Sequence, residues 1–173
     1  LRAARPSARI TALSVPRVAD ILRHAPQLDD LILYDEDGAD RGVAAKWRLI
    51  RMLRAGQFDA AFILRRSASR TALAWLAGIP ARIGFANAKS NWFLTHRMPP
   101  SAPGLHKAHT YLDLLRGLGA AAPPRAYHYA PTLQEQREMD ERLRAQGGLA
   151  AGQALIVVHP GGNWPHKRWD PER

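Results

Sequence analysis

Residues 58–85 read FDAAFILRRSASRTALAWLAGIPARIGF. Their succession of patterns decides the fold. FDAAFIL (58–64) is an apolar run of strand length, too short for a helix. SRTALAWLAG (69–78) then spaces its apolar residues as a helix does and ends on a glycine, a common helix stop. ARIGF (81–85) is strand-like again. Strand, helix, strand in this order predicts a parallel βα unit, because a parallel pair needs a crossover between its strands.

The same alternation extends outward on both sides. ARITAL (8–13) predicts a strand, and Pro16 falls where a first helical turn accepts it, ahead of RVADILRHA (17–25). LDDLILYD (28–35) predicts the next strand, and DEDGAD (35–40) a solvated turn. A calcium loop would need a longer patterned set of ligands. VAAKWRLIRMLRAG (43–56) puts Val43, Trp47, Ile50 and Leu53 at spacings of three and four, with Gly56 as the stop. HKAHTYLDLLRGLG (106–119) predicts a helix with Tyr111, Leu114, Leu115 and Leu118 on one face. Trp47, Trp75 and Tyr111 are expected in the core, and His109 as a cap or packing residue. The whole pattern predicts an α/β fold with a parallel sheet.

AAAPPRAYHYAP (120–131) interrupts the periodicity with small residues and three prolines. Beyond it, Thr132 and Glu135 predict a capping box for a helix that Gly147 and Gly148 end. Ala154–Val158 is expected to be a strand, and Asp170, Pro171 and Glu172 have the order of an N-cap, an N1 proline and a first-turn acid. Residues 1–122 are therefore expected to form most of one α/β domain and 123–173 the linker and start of another. The chain is expected to be a stretch of a longer protein, open at both ends.

Composition narrows the chemistry. With 173 residues, 46% of them apolar, the chain can bury a core, and it contains no run of the roughly 18 apolar residues a membrane span needs. The absence of cysteine excludes disulfides and Cys-ligated metal. The formal charge of +10 suits an anionic partner, although an arginine-rich background explains it equally well: all 25 cations except Lys46, Lys89, Lys107 and Lys167 are arginines. They are scattered rather than gathered into a basic block, which disfavours a nucleic-acid footprint.

The loop after Val158 carries the ligand chemistry. In an open parallel sheet, ligands bind beyond the carboxyl ends of the strands. Gly161 and Gly162 there let backbone N–H groups approach a ligand, and Lys167 and Arg168 add positive charge. A helix opening at Asp170 would add its positive end. The set suits a diphosphate, although Pro-Gly-Gly is also an ordinary turn, and it matches neither a P-loop nor a G-x-G-x-x-G fingerprint. Arg65 and Arg66, at a strand's carboxyl end, suit an anionic substrate.

HPGGNWPHKRWDPER (159–173) resembles the HPG…KRWP.E signature of the bacterial lipopolysaccharide heptosyltransferases, glycosyltransferase family 9. Residues 58–85 resemble that family's segment from a (Y/F)D strand to RIGF, and H..YLDLLRGLG its helix before the interdomain linker. The resemblance covers nearly the whole chain in the family's order. It implies a GT-B architecture: two Rossmann-like domains, here an N-terminal domain lacking its first strand and the beginning of the second. It further implies inverting transfer of a heptose from ADP-heptose to the lipopolysaccharide inner core, with no metal and no cofactor. By position, Gly161, Gly162, Asn163 and Lys167 fall where the family handles the donor diphosphate, and Trp164 lies in the same loop. Arg65, Arg66, Arg82 and Lys89 are candidates for the anionic acceptor. The family's catalytic Asp belongs to a loop upstream of Leu1, so no catalytic residue is expected here and the chain alone is expected to be inactive. A cytoplasmic setting, peripheral at the inner membrane face, is implied as well.

Two other readings compete. One is a basic α/β module that binds nucleic acid, against which the lack of an RRM, KH or helix-turn-helix signature counts. The other is a GT-B relative that binds nucleotide sugars without transferring them.

Overall fold

A computed structural model describes residues 1–100, 102, 104–116, 119, 129, 131–148, 153–162, 164 and 167–169. Expectations for Leu118, Asn163, most of the linker (120–128) and the helix opening at Asp170 lie outside these residues. The chain divides into two compact units, Leu1–Ala130 and Pro131–Arg173.

The first unit follows the predicted alternation. β1 (Thr11–Ser14) leads through a 3-10 turn with Pro16 in its first turn into the short helix α1 (Ala19–Leu22), then β2 (Asp30–Leu33). Next come α2 (Val43–Ala55), β3 (Ala60–Ile63), α3 (Ala68–Leu76), β4 (Ala81–Phe85), β5 (His96–Met98) and α4 (Lys107–Arg116). β1 and β2 pair in parallel with Thr11 opposite Asp30. β3, β4 and β5 form a second parallel set, with Ala60 opposite Ala81 and Ile83 opposite His96.

Alternation along β3 shows why helices lie on both faces. Ala61 and Ile63 pack with Leu49, Ile50 and Leu53 of α2 and Ala74 of α3. Phe62, pointing the other way, joins Ile83 and Phe85 of β4 and Leu114 of α4. A strand packed on both faces reads as a continuous apolar run, as 60–63 does. Gly78 closes α3 at φ +81°, a conformation that a β-carbon disfavours. β5 was not legible from the sequence: His96, Arg97 and Met98 carry no strand pattern, and their parallel pairing with β4 creates the strand.

The predicted core differs in detail. On α2 the buried residues are Ala45, Leu49, Ile50 and Leu53, whereas Val43 is 70% and Trp47 54% exposed. The inward stripe is thus rotated from the one expected. Trp75 is half-exposed and meets Phe93 at 5.6 Å, and Tyr111 lies at the surface beside the fully buried Leu114.

The acidic turn after β2 is organised by its own carboxylates. Asp40 Oδ2 accepts from the Asp35 amide at 2.9 Å, and its Oδ1 pairs with Arg48 of α2. That amide, and then Arg48, hold the Asp40 carboxyl below its ordinary value of 3.8.

In the second unit the capping box forms as predicted. Thr132 Oγ1 accepts from the Glu135 amide and Glu135 Oε2 from the Thr132 amide, opening α5 (Leu133–Gly147), with Gly148 left-handed at its end. The strand expected at Ala154–Val158 does not form: these residues have no strand partner among those described, and Ile156, Val157 and Val158 are largely exposed. An apolar run becomes a strand only by sharing a ladder with a neighbour.

Two outcomes test this account in the full-length protein. Ile50→Ala should cost about 3 kcal/mol through the cavity it leaves, while Val43→Ala, on the same helix but at the surface, should stay within about 0.5 kcal/mol; urea unfolding separates them. Because the Asp40 carboxyl is more acidic in the folded chain than in the unfolded one, its contribution is complete above the unfolded value and is lost as pH falls through the folded one. Asp40→Asn should therefore flatten part of the fall in urea midpoint below about pH 4 and leave the slope near pH 7 unchanged.

Candidate functional site

Parallel strands put their carboxyl ends on one edge, and at β3 and β4 that edge is cationic. β3 ends at Ile63, and Leu64, Arg65 and Arg66 follow, all exposed. Ser67 occupies the N-cap position of α3. β4 ends at Phe85 and runs into a turn in which Asn87 Oδ1 accepts from the amides of Lys89 and Ser90, each at 3.0 Å. A narrow cleft between the two strand ends is lined by Arg65, Arg66, Ser67, Gly84, Phe85 and Ser90, among others. The Arg66 guanidinium lies 5.7 Å over the Phe85 ring, so its charge is directed onto the cleft wall. Lys89 is exposed on the same turn as Ser90.

The fourth cation expected at the acceptor site is placed differently. Arg82 is the second residue of β4, at the opposite, amino-terminal edge. Its guanidinium donates to the Phe93 carbonyl at 2.5 Å, to the Pro80 carbonyl at 3.1 Å and to the Ile79 carbonyl. These bonds tie down the crossover from β4 to β5 and leave Arg82 little freedom to meet a ligand.

β2 belongs to the separate β1–β2 pair, but its following turn contacts α3. Glu36, just beyond that strand, pairs with Arg70 of α3, linking the acidic turn to the helix that follows Arg65 and Arg66. Tyr34 is packed against the α2–α3 core, and its hydroxyl is buried without a partner among the described residues. Burial, then the negative charges of Asp40 and Glu36, push that phenol above its ordinary value.

In the second unit the glycine loop folds back on itself. The Trp169 amide donates to the Pro160 carbonyl at 2.9 Å, and Arg168 Nε donates to the Gly162 carbonyl at 2.9 Å. A β-carbon on Gly162 would lie 2.9 Å from the Lys167 carbonyl oxygen, so this closure requires glycine. Gly161 and Lys167 are exposed, and Lys167 makes no hydrogen bond or ion pair to a described side chain. The two adjacent cations thus have different positions: Arg168 holds the loop's shape and Lys167 remains available at its surface. Trp164 belongs to the same loop.

Sequence patterns singled out Arg65, Arg66 and the glycines but passed over Ser67, Ser90 and the Glu36–Arg70 pair. A serine after two arginines at a helix start is a visible signal for Ser67; nothing local marks Ser90, which the turn at Asn87 carries to the cleft. No helix among the described residues is long and apolar enough to cross a membrane.

The comparisons with known proteins bear on the fold and the family. Over 96% of the chain, the structure is similar to the glycosyl transferase family 9 protein from Veillonella parvula DSM 2008, with a TM-score of 0.84 and 23% identity. It is also similar to the ADP-heptose lps heptosyltransferase II of E. coli over 98% of the chain, with a TM-score of 0.68 and 21% identity. The chain spans 48% and 50% of those two proteins. At such identities the likeness establishes the α/β, parallel-sheet, Rossmann-like fold of these GT-B proteins. No curated protein sequence matches the chain. The sequence pattern of glycosyltransferase family 9 (heptosyltransferase) matches residues 46–173, well over half of the chain, and on that match the chain belongs to this family.

Proposed function

We propose that this chain serves an inverting glycosyltransferase that moves a heptose from ADP-heptose to the lipopolysaccharide inner core. Residues 1–122 would form the acceptor side and 123–173 the start of the donor side, working at the inner face of the cytoplasmic membrane. The observation that carries the reading is the loop closure between Pro160 and Trp169, in which Gly161 and Lys167 are exposed and Gly162 partly so, while Arg168 and Trp169 fix the backbone. Family membership supports it independently.

In the proposed reaction the acceptor hydroxyl oxygen attacks the anomeric carbon. The bond from that carbon to the donor diphosphate breaks, its electron pair leaves with the diphosphate, and the hydroxyl proton passes to a base. No acid of this chain is assigned as that base. Negative charge grows on the leaving diphosphate, so fixed amides and a nearby ammonium stabilise the transition state more than the bound donor. Gly161 and Gly162 supply close backbone approach, Lys167 the charge, and Asn163 belongs to the same set. On the acceptor side Arg65, Arg66 and Lys89 meet the anionic saccharide; Arg82, assigned the same role by resemblance, is held by carbonyls.

Steady-state kinetics of the full-length protein with ADP-heptose and an inner-core acceptor tests both halves. Lys167→Ala should lower kcat by roughly 10²–10³-fold with a smaller loss of donor affinity. Arg168→Ala, which loosens the loop instead, should act mainly on donor KM. Replacing Arg65 and Arg66 together by Ala should raise the acceptor KM and leave the donor KM unchanged. A near-normal kcat in Lys167→Ala removes the diphosphate role from that residue.

A further inference from the structure

We propose that the first turn of α3 and Ser90 together form a seat for an oxyanion of the acceptor, a phosphate monoester or a carboxylate. The assignment to the acceptor rests on the reading above; the seat itself rests on two separate features of the cleft.

The first is an uncapped helix end. Ser67 has the extended backbone of an N-cap, yet its side chain makes no capping bond. Its Oγ instead shares a 2.9 Å hydrogen bond with Ser69 Oγ. The first-turn amides of an α-helix have no partner inside the helix, and here neither a capping side chain nor a first-turn acid serves them. With Arg65 and Arg66 immediately before it, this helix end concentrates positive charge.

The second is Ser90. It is 2% exposed, and its Oγ has no hydrogen-bond partner among the described residues. Burying an unpaired hydroxyl is unfavourable, so such a group calls for an explanation. Ser90 lines the same cleft as Arg65, Arg66 and Ser67. Gly84 lines it too, where a β-carbon would come within 3.0 Å of Leu94 Cδ2 and 3.3 Å of the Ile63 carbonyl oxygen. The cleft is too tight for water in this conformation. Arg65 and Arg66, which line it, are exposed side chains free to change rotamer, and the proposed seat requires that they move aside. Amides, hydroxyls and guanidinium groups supply hydrogen-bond donors, which suits an anion of several oxygens better than a neutral sugar hydroxyl.

The test uses inorganic phosphate and, separately, acetate at constant ionic strength, with the amide resonances of Ala68, Ser69 and Arg70 followed in the full-length protein. Saturable shifts are expected. Ser90→Ala should raise the phosphate midpoint about tenfold, the loss of one hydrogen bond to a charged group. It should also leave the melting temperature unchanged or higher, because an unpaired buried hydroxyl is removed; a serine that merely packs would show an unchanged midpoint. Arg66→Gln, at an exposed position where folding is not at stake, should weaken phosphate severalfold. Tighter saturation by phosphate assigns a phosphate monoester, and tighter saturation by acetate a carboxylate. Linear, unsaturated shifts with both ions, or an unchanged midpoint in either variant, overturn the proposal. Neither donor nor acceptor is present, so a failed seat and a failed sugar transfer are read separately.

Discussion

The parallel pairing of β3 with β4 is the constraint from which the rest of the first unit follows. Ala61 and Ile63 pack on one face against α2 and α3, and Phe62 on the other with Phe85 and Leu114. A strand so enclosed can satisfy its backbone only through its neighbours, and β4 supplies that in register from Ala81 to Gly84. Gly84 permits the close fit, since a side chain there would press on the Ile63 carbonyl and on Leu94. Once the two strands run the same way, Arg66 and the turn that carries Ser90 must emerge on one edge. The cleft is thus a consequence of strand direction before it is a matter of side-chain choice.

The fold was legible where local rules and tertiary structure agree. Pro16 at a first turn, Gly78 at the end of α3 and the Thr132–Glu135 box state backbone requirements that hold in any surroundings. Helix faces were harder to read. On α2, residues 43, 47, 50 and 53 and residues 45, 49, 50 and 53 both satisfy helical spacing. Packing selected the second set: Leu49, Ile50 and Leu53 meet β3 and α3, Ala45 is buried and Trp47 stays half-exposed. β5 and the segment Ala154–Val158 mark the two limits of strand reading: a polar triplet gains a ladder from its neighbour, and an apolar run without one stays irregular.

The site was partly legible for a similar reason. Sequence position says at which end of a strand a residue falls, which located Arg65 and Arg66. It does not say where a long side chain goes. Arg82 lies in a motif that resembles the family's, yet its guanidinium turns toward three backbone carbonyls at the far edge. Arg168, adjacent to Lys167, likewise turns back on its own loop. Arginine's rigid fork of donors favours such carbonyl clamps, whereas a lysine at a loop surface is more readily left to a ligand.

This division bears on the +10 charge, for which composition alone allowed two explanations. Arg2, Arg9, Arg23, Arg48, Arg70 and Arg116 each pair with an acid, and Arg54 and Arg82 serve carbonyls. These eight arginines are therefore structural, and exposed pairs of this kind add little stability. At the carboxyl edge of β3 and β4 the arrangement changes. Arg65, Arg66 and Lys89 lie at the ends of neighbouring strands with no acidic partner among the described residues, and Arg66 is directed onto a ring that walls the cleft. Unneutralised like charges held together repel one another, at a cost to the folded state that an incoming anion relieves. The positive field at this edge is thus local, set by the cations gathered there rather than by the total charge of the chain.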